Sequence, residues 1–310
     1  MVNLLITGYG GDIGFNIAKI AKKIKFVNKV VVGDLNAKVP LTPFIDKFYQ
    51  LPRVNSADYI KEIEEILAKE KICAIVPTSE PELRHINQSR QNFMHLPIMA
   101  ANTKSLEIGF DKLNTNKLLE NLNLPTLKTF PQNVIPEIGF PIIFKSRFGA
   151  GSKHQFLVKD KNEAKIYSKL FKDYIWQEYI DGIDNEFTCS VFKASGTKTR
   201  CIIFNRRLNQ GVSTFVKIIE NQVIESLCAK ISKCLELDGS INIQLKVKDQ
   251  IPYVFEINPR FSSSIYFRNI AGFCDFKWCL QNFLGKKISS YKPKLPVNQT
   301  LFRINDFFYR

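Results

Sequence analysis

The chain has 310 residues, 45% hydrophobic and 24% charged, which is long enough for two or three domains and too apolar for a disordered segment. Its formal charge is +15, yet the lysines are scattered among Asp and Glu without a polybasic block, so they read as solvated surface or an attraction for anionic small molecules rather than a nucleic-acid footprint. No apolar run reaches the length of a membrane span, and the opening Met1-Val2-Asn3-Leu4-Leu5-Ile6 leads straight into a strand without a signal-peptide pattern, so a cytoplasmic protein is expected.

In chain order, residues 4–6 read as an apolar strand, followed by a glycine turn and a helix to about residue 24. Residues 30–32 form the next strand. Ser56 reads as the N-cap of a helix with Ile60, Ile63, Ile66 and Leu67 on one face. Residues 72–76 make a third strand, and Pro81 opens another helix. This βαβα alternation predicts a parallel sheet covered on both faces.

A helix is expected over 111–122, ended by Asn123-Leu124-Pro125. Beyond it the pattern turns to α+β. Strand-like runs at 141–145, 155–159 and 174–180 surround a helix near 162–171. Longer runs follow at 186–194 and 198–206, then a helix near 222–236 and a hairpin over 240–257. The tail from about 290 reads as an extended closing segment. The domain divisions are 1–103, 104–180 and 181–310.

Gly8-Tyr9-Gly10-Gly11-Asp12-Ile13-Gly14 follows a strand, opens a helix and has Asp34 after the next strand, close to a dinucleotide fingerprint. The spacing is G-x-G-x-x-x-G, a weak match, so an NAD(P)-dependent oxidoreductase stands as an alternative reading. Seven cysteines without paired CxxC spacing argue against a disulfide framework and a zinc site, and read as buried free thiols. Three histidines leave little material for a nitrogen-ligated metal.

The strongest chemical signal is Val254-Phe255-Glu256-Ile257-Asn258-Pro259-Arg260. Residues two apart on a strand share a face, so Glu256, Asn258 and Arg260 project together while Phe255 and Ile257 point to the core. A tight hairpin centred on Gln250 pairs residues whose numbers sum to 500, setting Gln244 across from Glu256. Carboxylate and amide oxygens gathered in this way suit Mg²⁺. A second signal is the apolar strand that delivers Lys145 and Arg147 to Gly149-Ala150-Gly151-Ser152-Lys153, a turn whose amides can wrap phosphate oxygens. A third is Tyr174–Gly182 followed by Glu186, where backbone after a strand can read an adenine edge and an acid can bind ribose.

In this order the segments resemble the ATP-grasp superfamily, in particular its carbamoyl-phosphate-synthase-like carboxylate–amine ligases. The resemblance implies an N-terminal Rossmann-like domain that does not use its glycine turn for NAD, followed by a two-lobed ATP-grasp domain. It also implies ATP with one or two Mg²⁺ ions, Mn²⁺ being an alternative. By likeness to the family's motifs, Lys112 and Lys145 contact phosphate and Gly149, Gly151 and Ser152 fall in the phosphate loop, with Arg147 nearby. Glu178, Tyr179 and Ile180 form the adenine hinge, and Glu186 is the ribose acid. Gln244, Glu256 and Asn258 are the metal ligands, with Gln244 standing where many relatives have Glu. Arg260 sits near the transferred phosphoryl group, so the catalytic set is Arg260, Lys145 and Lys112. Substrate contacts are placed at Gly10, Gly11, Ser79, Glu80, Arg206, Arg207, Gly211 and Ser213. Ser262-Ser263-Ser264 departs from the family's glycine-containing continuation. The implied partners are a small carboxylate and an amine, an amino acid joined to another or to an amino sugar, with neither nucleic acid nor a membrane span. A homodimer is the default assembly. A non-catalytic ATP-binding protein is a further alternative.

Overall fold

The computed structural model describes residues 1–149, 155–182, 185–209 and 212–304. The first part runs β1 (Val2–Thr7), α1 (Asp12–Ala21), β2 (Val27–Asp34), β3 (Lys47–Gln50), α2 (Tyr59–Glu70), β4 (Ile72–Pro77), α3 (Glu80–Gln88) and α4 (Arg90–Phe93). Its sheet is parallel, in the order β3-β2-β1-β4. β1 is apolar on both faces because both are covered. Leu4 and Ile6 enter one core with Ile17 of α1, whereas Leu5 enters another with Ile63 and Ile66 of α2. The N-cap of α2 is Asp58 rather than Ser56, whose Oγ instead accepts from the Asp58 amide in a local turn. Ser79 caps α3, with Pro81 in its first turn.

The next elements are α5 (Thr103–Gly109), α6 (Lys112–Asn121), β5 (Thr129–Pro131), β6 (Ile142–Ser146), β7 (Gln155–Val158), α7 (Lys161–Leu170) and β8 (Tyr174–Glu178). Their antiparallel sheet is ordered β5-β8-β6-β7. An aromatic core of Phe144, Trp176, Tyr174, Phe156 and Tyr167 holds α7 against it.

The last part comprises β9 (Glu186–Lys193), β10 (Arg200–Asn209), β11 (Val212–Ile219), α8 (Gln222–Cys234), β12 (Gly239–Lys248), β13 (Ile251–Asn258), α9 (Ile265–Ile270), α10 (Asp275–Phe283) and β14 (Thr300–Phe302). Its six strands run β13-β12-β9-β10-β11-β14. One face packs on α8 and on Leu119 of α6. Parts of the other join α1, α9 and α10 in a core shared with the first sheet. Among the cysteines, Cys73 is exposed and Cys201, Cys234 and Cys274 are half-buried, so the buried-thiol expectation holds for Cys189, Cys228 and Cys279 alone. The sulfurs of Cys189, Cys201 and Cys228 lie within 4.8 Å of one another behind β9. Among the described residues no helix is long and apolar enough to cross a membrane.

Candidate active site

Two cavities meet at the pocket face of the large sheet. The first, about 340 Å³, lies between this sheet and the β5–β8 sheet and is lined by Lys112, Lys145, Gly149, Glu178, Tyr179, Ile180, Glu186, Gln244 and Glu256. The second, about 230 Å³, lies where the N-terminal domain meets the same strands; its walls include Gly11, Asp12, Ser79, Asn258, Arg260, Ser262 and Ser263. Arg206 and Gln244 line both.

The β12–β13 hairpin sets the junction. Gln244 pairs with Glu256 and Asn242 with Asn258, as the strand alternation predicts. The turn is centred between Asp249 and Gln250 rather than on Gln250. Both have positive φ, 50° and 62°, as a two-residue hairpin turn requires. Near the turn Lys248 pairs with Ile251, so pair numbers sum to 499 there; one extra residue, Phe255, restores 500 at Gln244. This bulge corrects the expectation for Phe255. Val254 and Ile257 enter the core, but Phe255 turns into the first cavity.

The cations gather around Glu256. Lys145 is buried on β6, its Nζ 5.2 Å from the centroid of the Phe255 ring and 3.5 Å from the Phe255 carbonyl. Burial pushes its pKa down to about 8, against the opposing pull of Glu256. Burial alone would raise Glu256, but Lys112, Lys145, a hydrogen bond with Asn258 and Arg206 outweigh it and hold the carboxyl below its usual range. Lys112 donates to the Gly149 carbonyl at 2.6 Å, and Glu80 accepts from the Gly149 amide at 3.0 Å. The head of the predicted phosphate loop is thus tied to α6 and α3. Gly149 has φ +91°, a conformation that favours glycine. Gly151, Ser152 and Gly211 lie outside the described residues.

Glu178 ends β8 and Tyr179 and Ile180 continue along the cavity wall, with Lys246 donating to the Ile180 carbonyl at 2.6 Å. Glu186 is met by Arg206, whose Nη2 donates to its Oε1 at 2.7 Å and to Gln244 Oε1 at 2.9 Å.

Several expected contacts fall elsewhere. Arg147 is held by Asp111, the cap of α6, through bonds of 2.6 and 2.8 Å and does not line the first cavity. Arg207 alternates outward from Arg206 on β10 and lies over Phe215. Gly10 donates its amide to Asp34 at 2.7 Å. Ser213 is buried against Ser263. Glu80 is a brace, bonded to Gly149 and Arg84 and 3.8 Å from Arg260. Arg260 faces the smaller cavity with Asn258, while Glu256 faces the larger, so the three residues on one strand face are divided between the two cavities.

The donor set fits a hard divalent ion at Glu256 and Asn258, since carboxylate and amide oxygens suit Mg²⁺. Gln244 fits less well, because its oxygen already carries a guanidinium. At the first glycine turn the Gly10 amide is taken by Asp34, and a Cβ on Gly10 would meet Asp34 Oδ2 at 3.1 Å.

The ATP-grasp domain family matches residues 110–264, which hold most of both cavities, and a PylC-like N-terminal domain matches residues 4–101. The chain belongs to the ATP-grasp family. Among curated relatives, the carbamoyl-phosphate synthase of Methanobrevibacter smithii is 20% identical over 228 residues, covering 66% of this chain. The chain spans 61% of the length of that relative. Among solved structures, an ADP complex of N5-carboxyaminoimidazole ribonucleotide synthetase matches with TM-score 0.75 and 16% identity, covering 94% of this chain and 79% of the other. The L-amino acid ligase from Bacillus licheniformis matches with TM-score 0.75 and 16% identity, covering 94% and 78%. These are likenesses of fold: an N-terminal parallel-sheet domain with an ATP-grasp domain.

Within this ATP-grasp chain, sequence reasoning missed Phe255, Lys246 and Asp12 as cavity-lining residues. Lys246 was legible in principle, being two residues from Gln244 on the same strand face. Phe255 had no such signal, because an isolated strand does not announce a bulge.

Proposed function

We propose that this chain is a Mg²⁺- and ATP-dependent carboxylate–amine ligase. The observation that carries the reading is a cation-flanked carboxylate, Glu256, in a cavity that shares the walls Arg206 and Gln244 with the smaller cavity. The ADP complex of the synthetase with the same fold supports placing ATP in the larger cavity. The hinge at 178–180 would face adenine and Glu186 the ribose. Glu256 and Asn258 would hold the ion, which supplies charge neutralisation at the phosphates when bound.

A substrate carboxylate oxygen attacks the γ-phosphorus and ADP leaves, giving an acyl phosphate. The amine, neutral after giving one proton to solvent, then adds to the acyl carbon; phosphate departs and takes up the second nitrogen proton, leaving the amide. Lys112 and Lys145 face the triphosphate and offset charge that develops on the transferred oxygens, while Arg260 orients the carboxylate from the smaller cavity. Enclosure between the sheets limits hydrolysis of the intermediate.

The smaller cavity offers Asp12, Ser79, Arg260, Ser262 and Ser263 within about 230 Å³. That volume and its mixed charge favour an amino acid over a sugar nucleotide, and the L-amino acid ligase of the same fold supports this choice. The test is an ADP-release screen over pooled carboxylates and amines, amino acids and amino sugars included, with Glu256→Ala as control. Stimulation by one acid–amine pair, lost in the variant, supports the reading; ADP release indifferent to every pair rejects it.

A further inference from the structure

The metal-ligand set that the strand pattern suggests contains one carboxylate, Glu256, and two amides, Asn258 and Gln244. The two amides differ in surroundings. Asn258 bonds with Glu256 and faces the smaller cavity, whereas Gln244 Oε1 accepts from Arg206 Nη2 at 2.9 Å. Arg206 is only 5% exposed and is anchored by two bonds to Glu186 Oε1, at 2.7 and 3.1 Å. Its place follows from the ladder. β9 pairs Phe204 with Thr188 and Gln244 with Thr188, so continuing two residues along β10 sets Arg206 opposite Glu186 and beside Gln244 on the same face.

An ion bound to that Gln244 oxygen at about 2.1 Å would lie within about 5 Å of the guanidinium nitrogen. Gln244 adds no negative charge, and its amide oxygen is already engaged by the guanidinium. Resting on the ligase reading above, we infer that this chain holds a single divalent ion, through Glu256 and Asn258, and that Arg206 seated on Gln244 stands, beside Lys112 and Lys145, at the place a second ion would take. Arg206 is thereby a catalytic contact at the point where the two cavities join, and Gln244 is its positioning residue rather than a metal ligand.

The test counts bound ions directly. The full-length protein with a non-hydrolysable ATP analogue is titrated with Mn²⁺, and bound and free ion are separated by electron paramagnetic resonance, with calorimetry for nucleotide affinity. One Mn²⁺ per ternary complex is expected for the wild type. The double variant Arg206→Met/Gln244→Glu is expected to take a second at the same free concentration. Arg206→Met alone should keep one ion while weakening the analogue by about tenfold or more, the loss of a charge-assisted contact, and Arg206→Lys should recover part of that loss. Two ions in the wild type, or unchanged affinity in Arg206→Met, would overturn the inference and leave the ligase reading standing. Failure of the wild type to bind the analogue at all would overturn both.

Discussion

Lys145 and Phe255 meet in the wall of the larger cavity, the ammonium 5.2 Å from the ring centroid, although they lie on different sheets 110 residues apart. The contact joins the small antiparallel sheet to the large one. It also places the lysine where burial disfavours its charge.

That burial gives a pH dependence. In the proposed role the charged lysine is the form that would meet phosphate, and its pKa in the free protein is pushed down to about 8. kcat/KM for ATP, which reports the free enzyme, should therefore fall as pH rises through about 8. Lys145→Arg, charged throughout, should remove this fall even if its overall activity is lower. Rate profiles from pH 6.5 to 9.5 check it; an unchanged decline in the arginine variant would assign the titration to another group.

Glu256→Gln should separate metal from nucleotide. Without the carboxylate, Lys112 and Lys145 lose their shared counter-charge, so metal-free ATP analogue should bind as well as or better than to the wild type. Mg²⁺ should no longer strengthen binding, and turnover should drop on the order of 10²-fold or more. Calorimetry with and without Mg²⁺ reads the first two effects and steady-state kinetics the third.

Lys246 holds the segment after β8, the proposed adenine hinge, through a 2.6 Å bond to the Ile180 carbonyl. Lys246→Met should raise KM for ATP several-fold, about 1 kcal/mol of binding, while kcat changes little because the phosphate end is untouched. A loss confined to kcat would place Lys246 in a different role.

Away from the cavities, Arg268 and Asp275 form a fully buried pair with bonds of 2.9 and 2.8 Å, and Ser240, Ser262 and Ser264 satisfy remaining polar atoms. Asp275→Ala leaves the guanidinium uncompensated and should cost about 3–5 kcal/mol. Replacing both members, Arg268→Met with Asp275→Leu, should cost markedly less. Chemical denaturation of the three proteins decides it.

Much of the site was legible because strand alternation has a period of two. Gln244 and Glu256 could be assigned a common face from sequence alone, whereas Lys145 and Glu186 were singled out by likeness to the family's motifs; all four line the larger cavity. The helices of the last sixty residues were not legible. α9 is only six residues long, and α10 is buried by several elements at once, so neither shows a clean one-sided stripe. β11 was hidden in the opposite way: its apolar run follows the residues expected to contact substrate, and pairing with β10 over Ile203–Asn209 makes it a strand.

The order of residues by itself determined which amides and acids lie on one side of the closing hairpin, since alternation is a local property of extended backbone. Only the tertiary structure decided that Phe255 leaves the core and that Arg206 reaches Gln244. The first depends on a one-residue mismatch between two strands. The second depends on the register of three, and neither quantity exists until the strands have paired.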